Sequence, residues 1–185
     1  MRLFIALPLP TEIEEFLTKI IFTLKQKPGK VKWVAPKNIH LTMKFLGETE
    51  ESKVAGISDA IKKAVLDFTS FELEINKLGA FPNLRRPRVF WAGLEGNIDG
   101  LVSLAENIDS DLSRMGFERE NRRFKPHLTL GRVKDDRNLD ELSEYIKDLE
   151  FFPISLTLDR VVLFKSTLTP KGPIYDSLFE SILTK

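Results

Sequence analysis

Apolar residues along this chain follow two spacings, and the switches between them divide it into strands and helices. Arg2 to Leu7 is a short apolar run closed by Pro8 and predicts a first strand. Behind Thr11 and Glu14, which match a capping box, Ile13, Phe16, Leu17, Ile20 and Leu24 recur at helical spacing until Pro28-Gly29 stops the helix. A strand over Val31 to Val34 leads through the turn Pro36-Lys37-Asn38 into another over Ile39 to Leu46, closed by Gly47. Ser52 then starts a helix whose apolar positions are Val54, Ile57, Ile61 and Val65.

Phe71 to Ile75 returns to period two and predicts a strand with one wet face. Its hairpin partner is Arg88 to Leu94, across a loop containing Gly79, Pro82, Asn83 and Pro87. Leu101, Leu104, Ala105, Ile108, Leu112 and Met115 outline a further helix ended by Gly116, and Pro126 introduces a strand over His127 to Val133. Leu139, Leu142, Ile146 and Leu149 mark a shorter helix before strands near Pro153 to Leu158 and Arg160 to Lys165. Ile174 to Leu183 fits a strand or a helix equally well. Strands and helices interleave without a long polar linker, so residues 1–185 read as one α+β domain.

Composition narrows the chemistry more than the fold. With 28 Lys and Arg against 27 Asp and Glu, the net charge of +1 points to no nucleic acid, and any anion site must arise from local arrangement. The absence of cysteine removes disulfides, thiolate nucleophiles and sulfur-held zinc. Two histidines are too few for a histidine-rich metal site, although carboxylate-held magnesium stays open; since two imidazoles can supply both acid and base, the expectation is no metal and no cofactor. The opening Met1 to Pro8 lacks the apolar length and cleavage site of a signal peptide, and no stretch reaches membrane-spanning length. The expectation is a cytoplasmic protein without membrane contact.

Both histidines sit in the same tripeptide, His40-Leu41-Thr42 and His127-Leu128-Thr129. In a strand, residues i and i+2 project to one face, so each unit offers a ring nitrogen and a hydroxyl to one ligand. Imidazole exchanges a proton near neutral pH, and a threonine hydroxyl can donate to a phosphate oxygen. Two such units across a cleft supply an acid, a base and two orienting donors. Each has a proline just upstream and a basic residue nearby, which suggests related strands in pseudo-twofold arrangement.

These residues carry a resemblance. The segments His40-Leu41-Thr42-Met43-Lys44-Phe45-Leu46-Gly47 and His127-Leu128-Thr129-Leu130-Gly131-Arg132 resemble the two-histidine phosphoesterases. So do the opening Met1-Arg2-Leu3-Phe4-Ile5-Ala6-Leu7, Leu78-Gly79-Ala80-Phe81-Pro82 and Arg86-Pro87-Arg88-Val89. Within that superfamily the chain is similar to the RNA 2',3'-cyclic phosphodiesterases, also called 2'-5' RNA ligases. Met43, where Leu is more usual, is a small departure on the core face. The resemblance implies a bilobal α+β fold with two antiparallel sheets around a central cleft and helices outside. It implies His40 as acid and His127 as base, with Thr42 and Thr129 on the phosphate; the symmetry of the motifs cannot by itself choose the polarity. It implies opening of a terminal 2',3'-cyclic phosphate to a 2'-phosphate, and ATP-independent 2'-5' joining in some members.

Other residues are candidates for RNA contact. Arg132 and Lys44 lie in the motif strands, and Arg85, Arg86, Arg88, Arg119, Arg122, Arg123 and Lys125 form two basic loops, which solvation alone would also explain. Phe81 and Phe124 lie by turns where they could stack on a base, whereas Phe45 and Trp91 fit core strand faces. The expected partner is RNA with a cyclic-phosphate end, tRNA fragments among the candidates, and not DNA, which lacks the 2'-oxygen. Competing readings are a phosphodiesterase for small cyclic nucleotides, a non-catalytic RNA-end binding protein and a metal-dependent phosphatase. Oligomeric state is not legible.

Overall fold

A computed structural model describes residues 1–184. The chain runs β1 (Arg2–Pro8), α1 (Thr11–Leu24), β2 (Lys30–Trp33), β3 (His40–Glu48), α2 (Val54–Ala64), β4 (Phe71–Phe81) and β5 (Val89–Gly96). It continues with α3 (Ile98–Ser113), β6 (His127–Asp135), α4 (Asp140–Asp148), β7 (Ile154–Leu158), β8 (Arg160–Thr169) and β9 (Gly172–Ile182). Two antiparallel sheets result, ordered β3-β1-β8-β9 and β2-β6-β5-β4-β7. This is the bilobal α+β architecture the sequence implied.

Each sheet packs one face into the core, and β1 is buried on both. Leu3, Ile5 and Leu7 of β1 and Val161 and Leu163 of β8 lie under helices, as do Leu128 and Leu130 of β6 and Phe90 and Ala92 of β5. The helices contribute matching stripes, Ile13, Leu17, Ile21 and Leu24 from α1 and Leu101, Leu104, Ile108 and Leu112 from α3. All belong to one contiguous core. α2 and α3 pack together, and α3 touches β3. The turn after α1 meets α4 through Lys27, which pairs with Glu141 at 3.2 Å and lies over the Tyr145 ring at 4.8 Å.

Several boundaries differ from the periodicity reading. Thr11 is the first helical residue of α1 and makes no cap bond; the amides of Ile13 and Glu14 bond Pro10 O instead, so the capping box is absent. Ser52 lies in a single 3-10 turn, Glu51–Lys53, and its hydroxyl bonds Glu50 rather than a helix amide. Gly79 belongs to β4, not to the hairpin loop, because a bulge at Asn76 lets the strand run on to Phe81. The ambiguous tail is strand β9, paired along β8.

Candidate active site

The two His-x-Thr units open equivalent strands, and both strands carry a bulge on the residue after the threonine. Ile5 pairs with Lys44 and Ala6 with Thr42, skipping Met43; Phe90 pairs with Gly131 and Trp91 with Thr129, skipping Leu130. A bulge resets the period-two alternation. Leu41, Met43 and Lys44 are therefore all buried, as are Leu128, Leu130 and Gly131, while His40, Thr42 and Phe45 share the open face of β3 and His127, Thr129 and Arg132 that of β6.

This corrects two expectations at once. Strict alternation placed Lys44 beside His40 and Phe45 in the core. Instead Lys44 is 4% exposed and bonds Asp109 of α3, so it does not share the open face with His40, and Phe45 is 61% exposed on that face. Met43 remains in the core, as its apolar character required.

The His127 imidazole is oriented from its own chain, two residues upstream. His127 Nδ1 lies 2.7 Å from Lys125 O. A carbonyl only accepts, so Nδ1 carries the proton and Nε2 is the nitrogen free to exchange one. At His40 the backbone of Asn38, likewise two residues upstream, pulls toward the protonated ring, and Asn38 is itself held by its side-chain amide donating to Pro173 O at 3.0 Å.

Aromatic rings surround both histidines. Phe4 stacks on His40 with centroids 4.7 Å apart, and Tyr175 meets its edge at 5.4 Å. Phe81 stands edge-on to His127 at 5.0 Å and also touches Trp91 at 5.4 Å. Burial pushes His40 down to about 4, against the opposing pull of the Asn38 backbone. Burial lowers His127 too, opposed by Lys125 O and reinforced by the charge of Arg132. That same charge reaches Tyr175, whose phenol burial nonetheless raises. Arg132 thus acts on the surroundings of both histidines, and β3 and β6 approach each other between the sheets.

Trp91, expected in the core, lies on the open face of its sheet. A Cβ on Gly79 would fall 2.4 Å from its indole, and one on Gly93 within 3.0 Å. These glycines let the ring lie flat on the strands, a physical reason for glycine in Leu78-Gly79-Ala80-Phe81. A cavity of about 270 Å³ adjoins His40, lined by Glu14, Lys37, Asn38, Phe164 and Tyr175 among others.

The remaining candidates are dispersed. Arg85, Arg86 and Arg88 are exposed in the β4–β5 loop, where Asn83 Oδ1 accepts from the amides of Arg85 and Arg86. Arg122 and Lys125 are exposed, Arg123 lies 3.8 Å from Asp99, and Arg119 is drawn to Asp109 at 3.3 Å. Phe124 packs its ring against the core. Tyr175 was missed by sequence reasoning, since it sits in a segment of undecided type and far from either motif.

Comparison with known proteins identifies the family. The 2'-5' RNA ligase superfamily profile matches residues 10–169. An RNA 2',3'-cyclic phosphodiesterase of Thermotoga maritima is 40% identical over 97% of this chain and 94% of its own length. One of Methanothermobacter thermautotrophicus is 38% identical over 96% of each. Among solved structures, E. coli LigT complexed with 3'-AMP superimposes with a TM-score of 0.77 at 29% identity, covering 100% of this chain and 98% of that one. With the profile covering most of the sequence and relatives near 40% identity along its whole length, the chain belongs to the 2'-5' RNA ligase superfamily.

Proposed function

We infer that the protein is an RNA 2',3'-cyclic phosphodiesterase that opens the terminal ring to a 2'-phosphate by acid–base catalysis between two histidines. The observation that carries this is the shared bulge, which sets His40-Thr42 and His127-Thr129-Arg132 on open faces, with the His127 imidazole oriented by the Lys125 carbonyl. The names of the relatives support the same substrate.

In the reaction, neutral His127 takes a proton from a water attacking phosphorus, and protonated His40 gives one to O3' as the P–O3' bond breaks. The phosphate remains on O2'. Charge grows on the non-bridging oxygens, where Thr42, Thr129 and the Arg132 guanidinium act as donors. This polarity requires His40 to be protonated although burial holds it near 4 in the free protein. A bound phosphodiester anion favours the imidazolium and supplies the needed upward shift. Replacing water by a 5'-hydroxyl gives 2'-5' joining driven by the strained ring, without ATP. No step calls on a metal.

Recognition of RNA rather than DNA follows from the 2'-oxygen of the ring. Arg85, Arg86, Arg88, Arg122, Arg123 and Lys125 suit backbone phosphates further along the strand, tRNA fragments included. Phe81, which braces His127, and exposed Phe45 offer aromatic surfaces for a terminal base to stack on.

The test is a short RNA with a 2',3'-cyclic phosphate, incubated with chelator and without ATP. A 2'-phosphate product is expected. A 3'-phosphate would refute the leaving group, loss of activity with chelator would refute the metal-free mechanism, and turnover of free cyclic nucleotides alone would replace RNA as the substrate.

A further inference from the structure

The segment joining α3 to β6 is held at its front by charges that the hydrolysis does not use. Lys44 Nζ lies 2.6 Å from Asp109 Oδ1 and 2.7 Å from Glu118 O, with its side chain 3% exposed. Asp109 also accepts from the Glu120 amide at 3.2 Å and from Arg119 Nε at 3.3 Å, and Glu120 Oε1 stands 3.9 Å from Lys44. Burial works to raise the Asp109 carboxyl, but these donors outweigh it and keep the group ionised below the usual carboxylate range.

Position gives this cluster its consequence. Lys44 is two residues beyond Thr42 on β3, and the bulge at Met43 is what turns it inward. The segment it grips at Glu118 ends at Lys125, whose carbonyl fixes the His127 ring. Between the two lie exposed Arg122 and Arg123. Gly131 occupies the matching place on β6, so the device exists in one half only; a Cβ there would fall 2.7 Å from Val31.

Stability alone is a weak reason for such a pair, because well-packed apolar replacements of buried ion pairs are often neutral or stabilising. What apolar side chains cannot do is donate to Glu118 O and accept from the Glu120 amide. We propose that Lys44 and Asp109 are positioning residues that tie the strand of the first His-x-Thr to the segment orienting the second histidine, holding both imidazoles in register for one phosphate. This rests on the hydrolysis assigned above, but two of its readouts do not.

The decisive variant joins Lys44→Met with Asp109→Leu. It is expected to keep its thermal midpoint while kcat falls between about 10- and 100-fold, the scale of loss when a reacting group is slightly misplaced from a distance, with KM little changed. With two histidines in the chain, the imidazole signals separate cleanly by NMR. The His127 titration midpoint should move and that of His40 should not. In the unaltered protein, hydrogen exchange at the Glu120 amide should be far slower than at its neighbour Asn121, whatever the variant does. A folded double variant with wild-type kcat and an unmoved His127 titration overturns the proposal, as does unprotected exchange at Glu120. If the wild type fails to turn over cyclic-phosphate RNA while exchange and titration behave as expected, the anchor stands and the assigned reaction falls.

Discussion

Replacing His127 by alanine should lower kcat on a cyclic-phosphate RNA end by about 10²- to 10⁴-fold, the usual contribution of a positioned acid or base. His40→Ala should cost as much. The two variants separate in their pH dependence. A base must be unprotonated, so His127→Ala removes the acidic limb of the bell; an acid must be protonated, so His40→Ala removes the alkaline limb. The limbs exchanged between variants would reverse the polarity and leave the two-imidazole mechanism intact. Near-native rates in either variant would end it. Because burial lowers both imidazoles in the free protein, the optimum of kcat/KM should lie at lower pH than that of kcat. The bound anion raises the histidines only once the complex has formed.

The same burial makes His40 a liability for stability. Unfolded, its imidazole binds a proton at its ordinary 6.5; folded, only at about 4. Acid therefore favours the unfolded chain through this group, and the loss begins as pH falls below 6.5 and continues toward 4. At pH 4 it should amount to about 3 kcal/mol. His40→Leu removes the titration and suits a site walled by Phe4, Phe164 and Tyr175. Urea unfolding at pH 7 and pH 4 should show the wild type losing about 3 kcal/mol more than the variant. His127 and the carboxylates titrate in both proteins and cancel. Parallel losses would mean that the folded chain accommodates the imidazolium, and that the anion is not needed to hold it.

The candidate site was legible because it lies in residue types at fixed spacing. Two histidines in identical tripeptides, each entering a strand behind a proline, announce themselves without knowledge of the fold. The bulges were not legible. One extra residue leaves no compositional mark, yet it moves Lys44 from the cleft to Asp109 and Phe45 from the core to the open face. Gly131 in the matching place was the available hint, since a lysine suited to phosphate would be expected in both halves. Tyr175 and the β8–β9 pairing depend on contacts distant in sequence, which local periodicity does not encode. The cap of α1 failed for a simpler reason: Pro10 begins the helix with its own carbonyl, making Thr11 the first residue inside.

That both imidazoles serve a single phosphate can be tested with a nucleoside 2'-phosphate, the product-like ligand, added to the protein while its two histidine signals are followed by NMR. Both signals should shift along one binding curve, and both titration midpoints should rise in the complex. A response from one histidine alone, with the other titrating as in the free protein, would contradict the account.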